Sequence, residues 1–190
     1  MKTVFIIGLR GLFKLRSIPT QSSLSDISKE HGIPLRVFDP AEIEKEKVDI
    51  IWVFNLGRIL RKPVLQMPSK GCVNLHFGLL PHYRGIMPSF WAHYHGEPFL
   101  GITYYKMDEG IDTGPVICQT QIPICSKMNL VDIYQKGFDQ AACMIEEVFT
   151  CLSGDLLLKQ EEAAGPGSYF MMPTWRDIIL YKIKFFPYSI

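Results

Sequence analysis

Apolar residues along this chain come in short dense runs, set apart by glycine, proline and charged clusters. Residues 4–7 (VFII), 48–54 (VDIIWVF) and 72–77 (CVNLHF) are of strand length and rich in β-branched and aromatic side chains. Their apolar content is nearly continuous rather than alternating, as in strands buried on both faces. Residues 101–107 and 116–122 read as two more strands joined by DEGIDTGP, and a shorter one is expected at 35–38. The polar stretch 8–21 reads as a loop. A helix is expected from a cap at Ser22 or Ser23 to about His31, where Gly32-Ile33-Pro34 stops it. A short one follows the Asn55-Leu56-Gly57 turn and runs to Leu65. Pro88 suits the first turn of a helix reaching about His95. Asn129 can cap a long helix with Asp132 in its first turn. Leu130, Ile133, Phe138, Ala141, Ile145, Val148 and Leu152 give that helix one apolar face. A last helix is expected near Thr174. Strands that alternate with helices predict an α/β, doubly wound, mostly parallel sheet covered on both faces.

Composition narrows this little. A chain of 190 residues fits one domain, and a net charge of +1 gives no bulk attraction to nucleic acid or membrane. The cysteines at 72, 118, 125, 143 and 151 form no C-x-x-C pair, and read as buried reduced thiols of a cytoplasmic protein. The opening MKTVFIIGLRG is too short in its apolar run for a signal peptide, and no stretch approaches the ~20 apolar residues of a membrane span.

In a doubly wound sheet, ligands bind beyond the carboxyl ends of the strands. Asn74 and His76 alternate on strand 72–77 and so share a face. Asp112 sits on a glycine-flanked loop, and Arg84-Gly85 closes the loop after His76. An Asn-x-His pair inside an apolar strand is costly to bury without partners. One reading is a core histidine satisfied by a backbone carbonyl. The other is a site in which Asp112 orients the imidazole and favours its charged form. Amide and imidazolium donors could then stabilise an oxyanion, while the carboxylate assists proton removal from an amine. Other chemistries fit poorly. Gly8-x-x-Gly11 is not a dinucleotide fingerprint, and there is no Walker loop or G-x-S-x-G elbow. His93 and His95 lie two apart on an expected helix, a poor metal pair, and read as helix-end or solvent-facing histidines.

The stretch from Val48 to about Ile122, with VNLHFGLLPHYRG (73–85) and MDEGIDTGPVI (107–117), closely resembles the folate-dependent formyltransferases. That family includes methionyl-tRNA formyltransferase, glycinamide ribonucleotide formyltransferase, amino-sugar N-formyltransferases and formyltetrahydrofolate deformylase. LPHYRG is nearest to the methionyl-tRNA and amino-sugar branches. The resemblance implies a Rossmann-like domain that moves a formyl group from 10-formyltetrahydrofolate to a primary amine, without a metal. It implies that Asn74 and His76 polarise the formyl group, and that Asp112 supports His76 and manages protons through water. It also implies a pteridine pocket lined by Phe54, Asn55, Leu56, Gly57, Ile59 and Leu60, with Met107, Asp108, Glu109 and Gly110 over the same ring, and Arg84 and Gly85 on the substrate loop.

The chain departs from the family in two places. Its relatives open with a strand, a glycine turn and a helix ahead of the segment that matches MKTVFIIG, a unit of ~30 residues as a β-α module. The fold expected here therefore lacks that first strand–helix unit, with residues 2–7 at or near a sheet edge. The ending TWRDIILYKIKFFPYSI is shorter than the tRNA-gripping domain of methionyl-tRNA formyltransferase. The expected division is a catalytic domain at 1–165 and a helical tail at 166–190, with Trp175, Ile178, Ile179 and Phe185 packing on the domain or on a second copy in a homodimer. The expected acceptor is a small amine, foremost an amino sugar nucleotide, ahead of tRNA. Alternatives are a methionyl-tRNA formyltransferase-like enzyme, a formyltetrahydrofolate hydrolase and a non-catalytic folate-binding remnant.

Overall fold

The computed structural model describes residues 3–7 (backbone), 47–54, 56, 59–154 and 167–185. The helix expected at 22–31 and the strand at 35–38 lie outside the described residues, as do Asn55 and Gly57.

Five strands form the main sheet in the order β1 (Thr3–Ile7), β2 (Ile50–Phe54), β3 (Gly71–His76), β5 (Phe99–Lys106) and β6 (Val116–Pro123). β1, β2 and β3 are parallel, and β1 stands at the end of the strand order among the described residues. β5 is antiparallel to both β3 and β6, so it alone opposes the other four strands. A continuous apolar run signals burial but carries no direction. The short connection over 107–115 decides it, because such a link can close an antiparallel pair but cannot make a parallel crossover.

Side-chain alternation sorts the strands into two cores. Ile50, Trp52, Val73, Leu75, Leu100, Ile102 and Tyr104 face one side. Ile51, Val53 and Cys72 face the other, with Val48 and Leu60. The first side is covered by α3 (Leu130–Cys143) and α4 (Ile145–Ser153). Asn129 and Asp132 exchange hydrogen bonds as a capping box at the start of α3. The single long helix expected there is broken at Met144, whose N–H reaches back only to Ala141. The break keeps Met144, Val148 and Leu152 on the sheet, all at most 5% exposed, while Phe138 and Ile145 fall to the rim at 50% and 36%.

α1 (Lys62–Leu65) is a single short turn that ends where expected, and α2 (Pro88–His95) starts at its proline, as expected, and ends on Gly96 in the left-handed region. The C-terminal segment returns to this helix. β7 (Tyr169–Phe170) pairs in parallel with β4 (Arg84–Gly85), and α5 (Trp175–Phe185) lies against α2. Thr174 and Asp177 exchange hydrogen bonds at the start of α5. The contact to α2 runs through Tyr181 and Phe185, whereas Trp175 and Ile179 are 79% and 56% exposed. His93 is not solvent-facing: it is buried, with Tyr181 Oη 2.7 Å from its Nδ1 and the Cys125 carbonyl 3.0 Å from its Nε2. Of the cysteines, Cys72 and Cys118 are buried, but Cys125 and Cys143 are exposed, and none is in a disulfide.

Candidate active site

Asn74 and His76 lie on the β3 face that also carries Cys72, and Tyr105 and Thr103 stand directly opposite them on β5. The 107–115 connection begins beside the amino end of β3, where Met107 N–H donates to Cys72 O, and folds back over this face. That brings Asp112 to the two β3 residues. Tyr105 Oη donates to Asp112 Oδ1 at 2.7 Å and accepts from Asn74 Nδ2 at 3.0 Å. Asp112 Oδ2 accepts from Gly85 N–H at 2.7 Å and lies 3.6 Å from His76 Nδ1. The last distance is too long for a hydrogen bond but short enough for the charges to interact. Asp112 itself has φ 52, a left-handed conformation that costs a residue with a Cβ roughly 1–2 kcal/mol. Its two short hydrogen bonds offset that.

The loop after β3 is pinned from three sides. Thr103 Oγ1 donates to Gly78 O, and Gln119 Nε2 donates to Leu80 O. Ser168 accepts from both Tyr83 N–H and Arg84 N–H, through its hydroxyl and its carbonyl, and Phe170 O accepts from Ile86 N–H. Asp112 holds Gly85. A side chain at Gly85 would collide with the Phe170 carbonyl, and its φ of +99 suits glycine alone. The pinned loop turns the Tyr83 carbonyl onto His76 Nε2 at 2.8 Å. A carbonyl only accepts, so Nε2 carries the proton in the neutral ring and Nδ1 is left facing Asp112. Both readings of His76 thus meet in one residue, a buried histidine on a backbone carbonyl with a carboxylate at its other nitrogen. Burial lowers its pKa below the usual value, and the Asp112 charge and the Tyr83 carbonyl oppose that shift. Burial, the Asp112 charge and the bond to Asp112 together raise the Tyr105 hydroxyl far above its usual range, so it stays a proton donor.

The other expected site residues divide. Leu56, Leu60 and Met107 belong to one apolar cluster and share a wall. Phe54 instead packs against the opposite core, and Ile59 is exposed. Asp108 accepts from Gly110 N–H and the Thr113 hydroxyl, tying its own loop, and Glu109 is exposed. Arg84 is half-buried, with its Nε buried and lacking a partner among the described residues, as is Asn74 Oδ1. Sequence reasoning missed Tyr105 and Ser168. Tyr105 is one of two adjacent tyrosines, and only the β3–β5 register separates it from core-facing Tyr104. Ser168 has no local signal, since its role depends on a strand pairing over more than eighty residues.

A family model described as formyl transferase matches residues 34–149, more than half of the 190-residue chain. The chain belongs to the formyl transferase family. Among its curated relatives, the methionyl-tRNA formyltransferase of Kosmotoga olearia is 38% identical over 174 residues, covering 87% of this chain and 55% of its own. That of Agathobacter rectalis is 42% identical over 106 residues, covering 52% and 34%. The chain spans about a third to a half of the length of the curated relatives it matches. Solved structures share the fold. The N-formyltransferase of Helicobacter canadensis, solved with folinic acid and dTDP-3-aminofucose, has a TM-score of 0.70 at 20% identity, covering 98% of this chain and 81% of its own. The phosphoribosylglycinamide formyltransferase of Streptococcus pneumoniae has a TM-score of 0.65 at 20% identity, covering 80% and 99%. No helix among the described residues is long and apolar enough to cross a membrane.

Proposed function

We propose that this chain transfers a formyl group from 10-formyltetrahydrofolate to a primary amine, and that the acceptor is an amino sugar carried on a nucleotide. The observation that carries the reading is the convergence of Asn74, His76 and Asp112 around Tyr105 on one sheet face, in a member of the formyl transferase family. Two buried polar atoms beside it, Asn74 Oδ1 and Arg84 Nε, have no partner among the described residues. Native proteins rarely leave such atoms unmatched, so a polar ligand or water is expected there. The folate supplies the formyl group. Asn74 has a second amide N–H to offer its carbonyl oxygen. Uptake of a proton at His76 Nδ1 gives Asp112 a donor to hold and charges the ring as negative charge develops on that oxygen. Asp112 would take the proton that the attacking amine loses, and a proton returns to the folate nitrogen as tetrahydrofolate leaves. Leu56, Leu60 and Met107 form an apolar wall suited to a pteridine ring.

The sugar acceptor is supported by the likeness in fold to a solved sugar 3N-formyl transferase, over 98% of this chain and 79% of that one, and by a net charge of +1, which gives little attraction to a polyanion. The identity to methionyl-tRNA formyltransferases favours methionyl-tRNA as the second reading. Incubation with 10-formyltetrahydrofolate and a panel of nucleotide-linked amino sugars, methionyl-tRNA and buffer alone separates them. A formylated amino sugar is expected. Formyl-methionyl-tRNA as the sole product would move the acceptor to tRNA, and release of formate without an amine would make the protein a hydrolase.

A further inference from the structure

The hydroxyl of Tyr105 occupies a position that its strand neighbours do not. Tyr104 turns into the opposite core and donates to the Ala141 carbonyl. A register shift in the β5–β6 pairing falls between Tyr104 and Tyr105, next to the site, where such irregularities re-aim side chains. Tyr105 is paired with Asn74 across the strands and is almost fully buried. Its hydroxyl has one proton. That proton goes to Asp112 Oδ1 at 2.7 Å, so the oxygen must accept from Asn74 rather than donate to it. Two consequences follow from this single bond direction. The Asn74 amide is fixed with its nitrogen toward Tyr105. The Asp112 carboxylate is fixed with Oδ1 taken, leaving Oδ2 for Gly85 N–H and the His76 ring.

We propose that Tyr105 is a positioning residue for the reaction: its hydroxyl orients the Asn74 amide and the Asp112 carboxylate together, and so holds Asp112 against His76. The role rests on formyl transfer being the activity, but the orientation can be read without it. The charged and titratable groups bearing on this cluster are Asp112 and His76 themselves, with Asp108 acting more weakly on Tyr105. Asp112 pulls the His76 titration up against burial. If Tyr105 aims the carboxylate, removing the hydroxyl weakens that pull and His76 titrates lower still.

The test uses Tyr105→Phe, which keeps the ring, and Tyr105→Met, a second way to remove the hydroxyl should the first not fold. The His76 ring is titrated by NMR in the whole chain, and kcat and KM are measured with 10-formyltetrahydrofolate and the best acceptor. The expected result is a His76 midpoint lower by roughly half a unit or more, a kcat about tenfold lower, and a folate KM within about twofold of the parent. An unchanged or raised His76 midpoint in a folded variant overturns the proposal, even if stability falls. A wild-type chain that transfers no formyl group, yet shows the His76 shift in the variant, would reject the proposed function and leave the positioning role standing. A wild-type chain that is active, with variants unchanged in kcat and His76 midpoint, would do the reverse.

Discussion

Burial and charge compete at His76, and the competition sets the pH behaviour of the molecule. Taking the ring out of water disfavours its charged form, and this outweighs the Asp112 carboxylate and the Tyr83 carbonyl. His93 is lowered too, by burial first and by Lys184, against the Cys125 carbonyl. Both histidines therefore bind a proton more weakly in the folded chain than in the unfolded one, where the ordinary value is 6.5. Their contribution to stability is complete above that value and is lost as pH falls from it toward the lowered folded values. Thermal melts taken between about pH 7 and pH 5 should show Tm falling with pH across that window. A flat or rising Tm would mean that neither histidine is held neutral by the fold. At this scale the sequence showed much. Asn74, His76 and Asp112 could be singled out because polar residues in an apolar strand and a glycine-flanked aspartate need a reason to be there. The left-handed backbone of Asp112, and the carbonyl that Tyr83 turns onto His76, could not, since both arise from loop conformation.

Individual elements were predicted best where their signals are local. Pro88 starts α2 and Asn129 caps α3 with Asp132 in its first turn, as read, and the five strands of the main sheet fall within two residues of their expected ends. The failures share one cause, which is dependence on distant partners. The break at Met144 depends on the sheet face below it, which keeps Met144, Val148 and Leu152 buried at the break and after it. The C-terminal segment is the largest case. Ser168 and Phe170 bind the loop beside His76, and α5 seats Tyr181 on His93. Tyr181 is the anchor of that helix. In the neutral ring Nε2–H donates to the Cys125 carbonyl, so Nδ1 must accept from Tyr181 Oη. Tyr181→Phe removes that donor from a buried acceptor, at a cost of about 1–2 kcal/mol, which lowers Tm by roughly 3–6 °C. Formyl transfer by the folded variant should be nearly unchanged, because the ring contacts of Tyr181 are to Phe90, His93 and Phe185, none of them a site residue. An unaltered Tm would show that α5 is held by other contacts.

For the whole molecule, a sheet with three parallel strands and an antiparallel return brings residues from β3, β5 and two loops to one face. The fold class was legible because continuous apolar strands alternating with amphipathic helices leave few ways to bury both sheet faces. The way the site is assembled was not, because it depends on a loop folding back over the sheet rather than on any one element. β1 stands at the end of the strand order among the described residues, but the strand expected at 35–38 and the glycine loop, on which the expected edge position of residues 2–7 depends, lie outside them. The activity proposed for the Asn74, His76 and Asp112 cluster is the passage of a formyl group to an amine. The most direct measurement follows tetrahydrofolate release from 10-formyltetrahydrofolate, with and without the acceptor amine, in the wild-type chain and in His76→Ala. Release that requires the amine, and that falls at least ~100-fold in the folded His76→Ala variant, is the predicted result. Release that proceeds at the same rate in His76→Ala would contradict it.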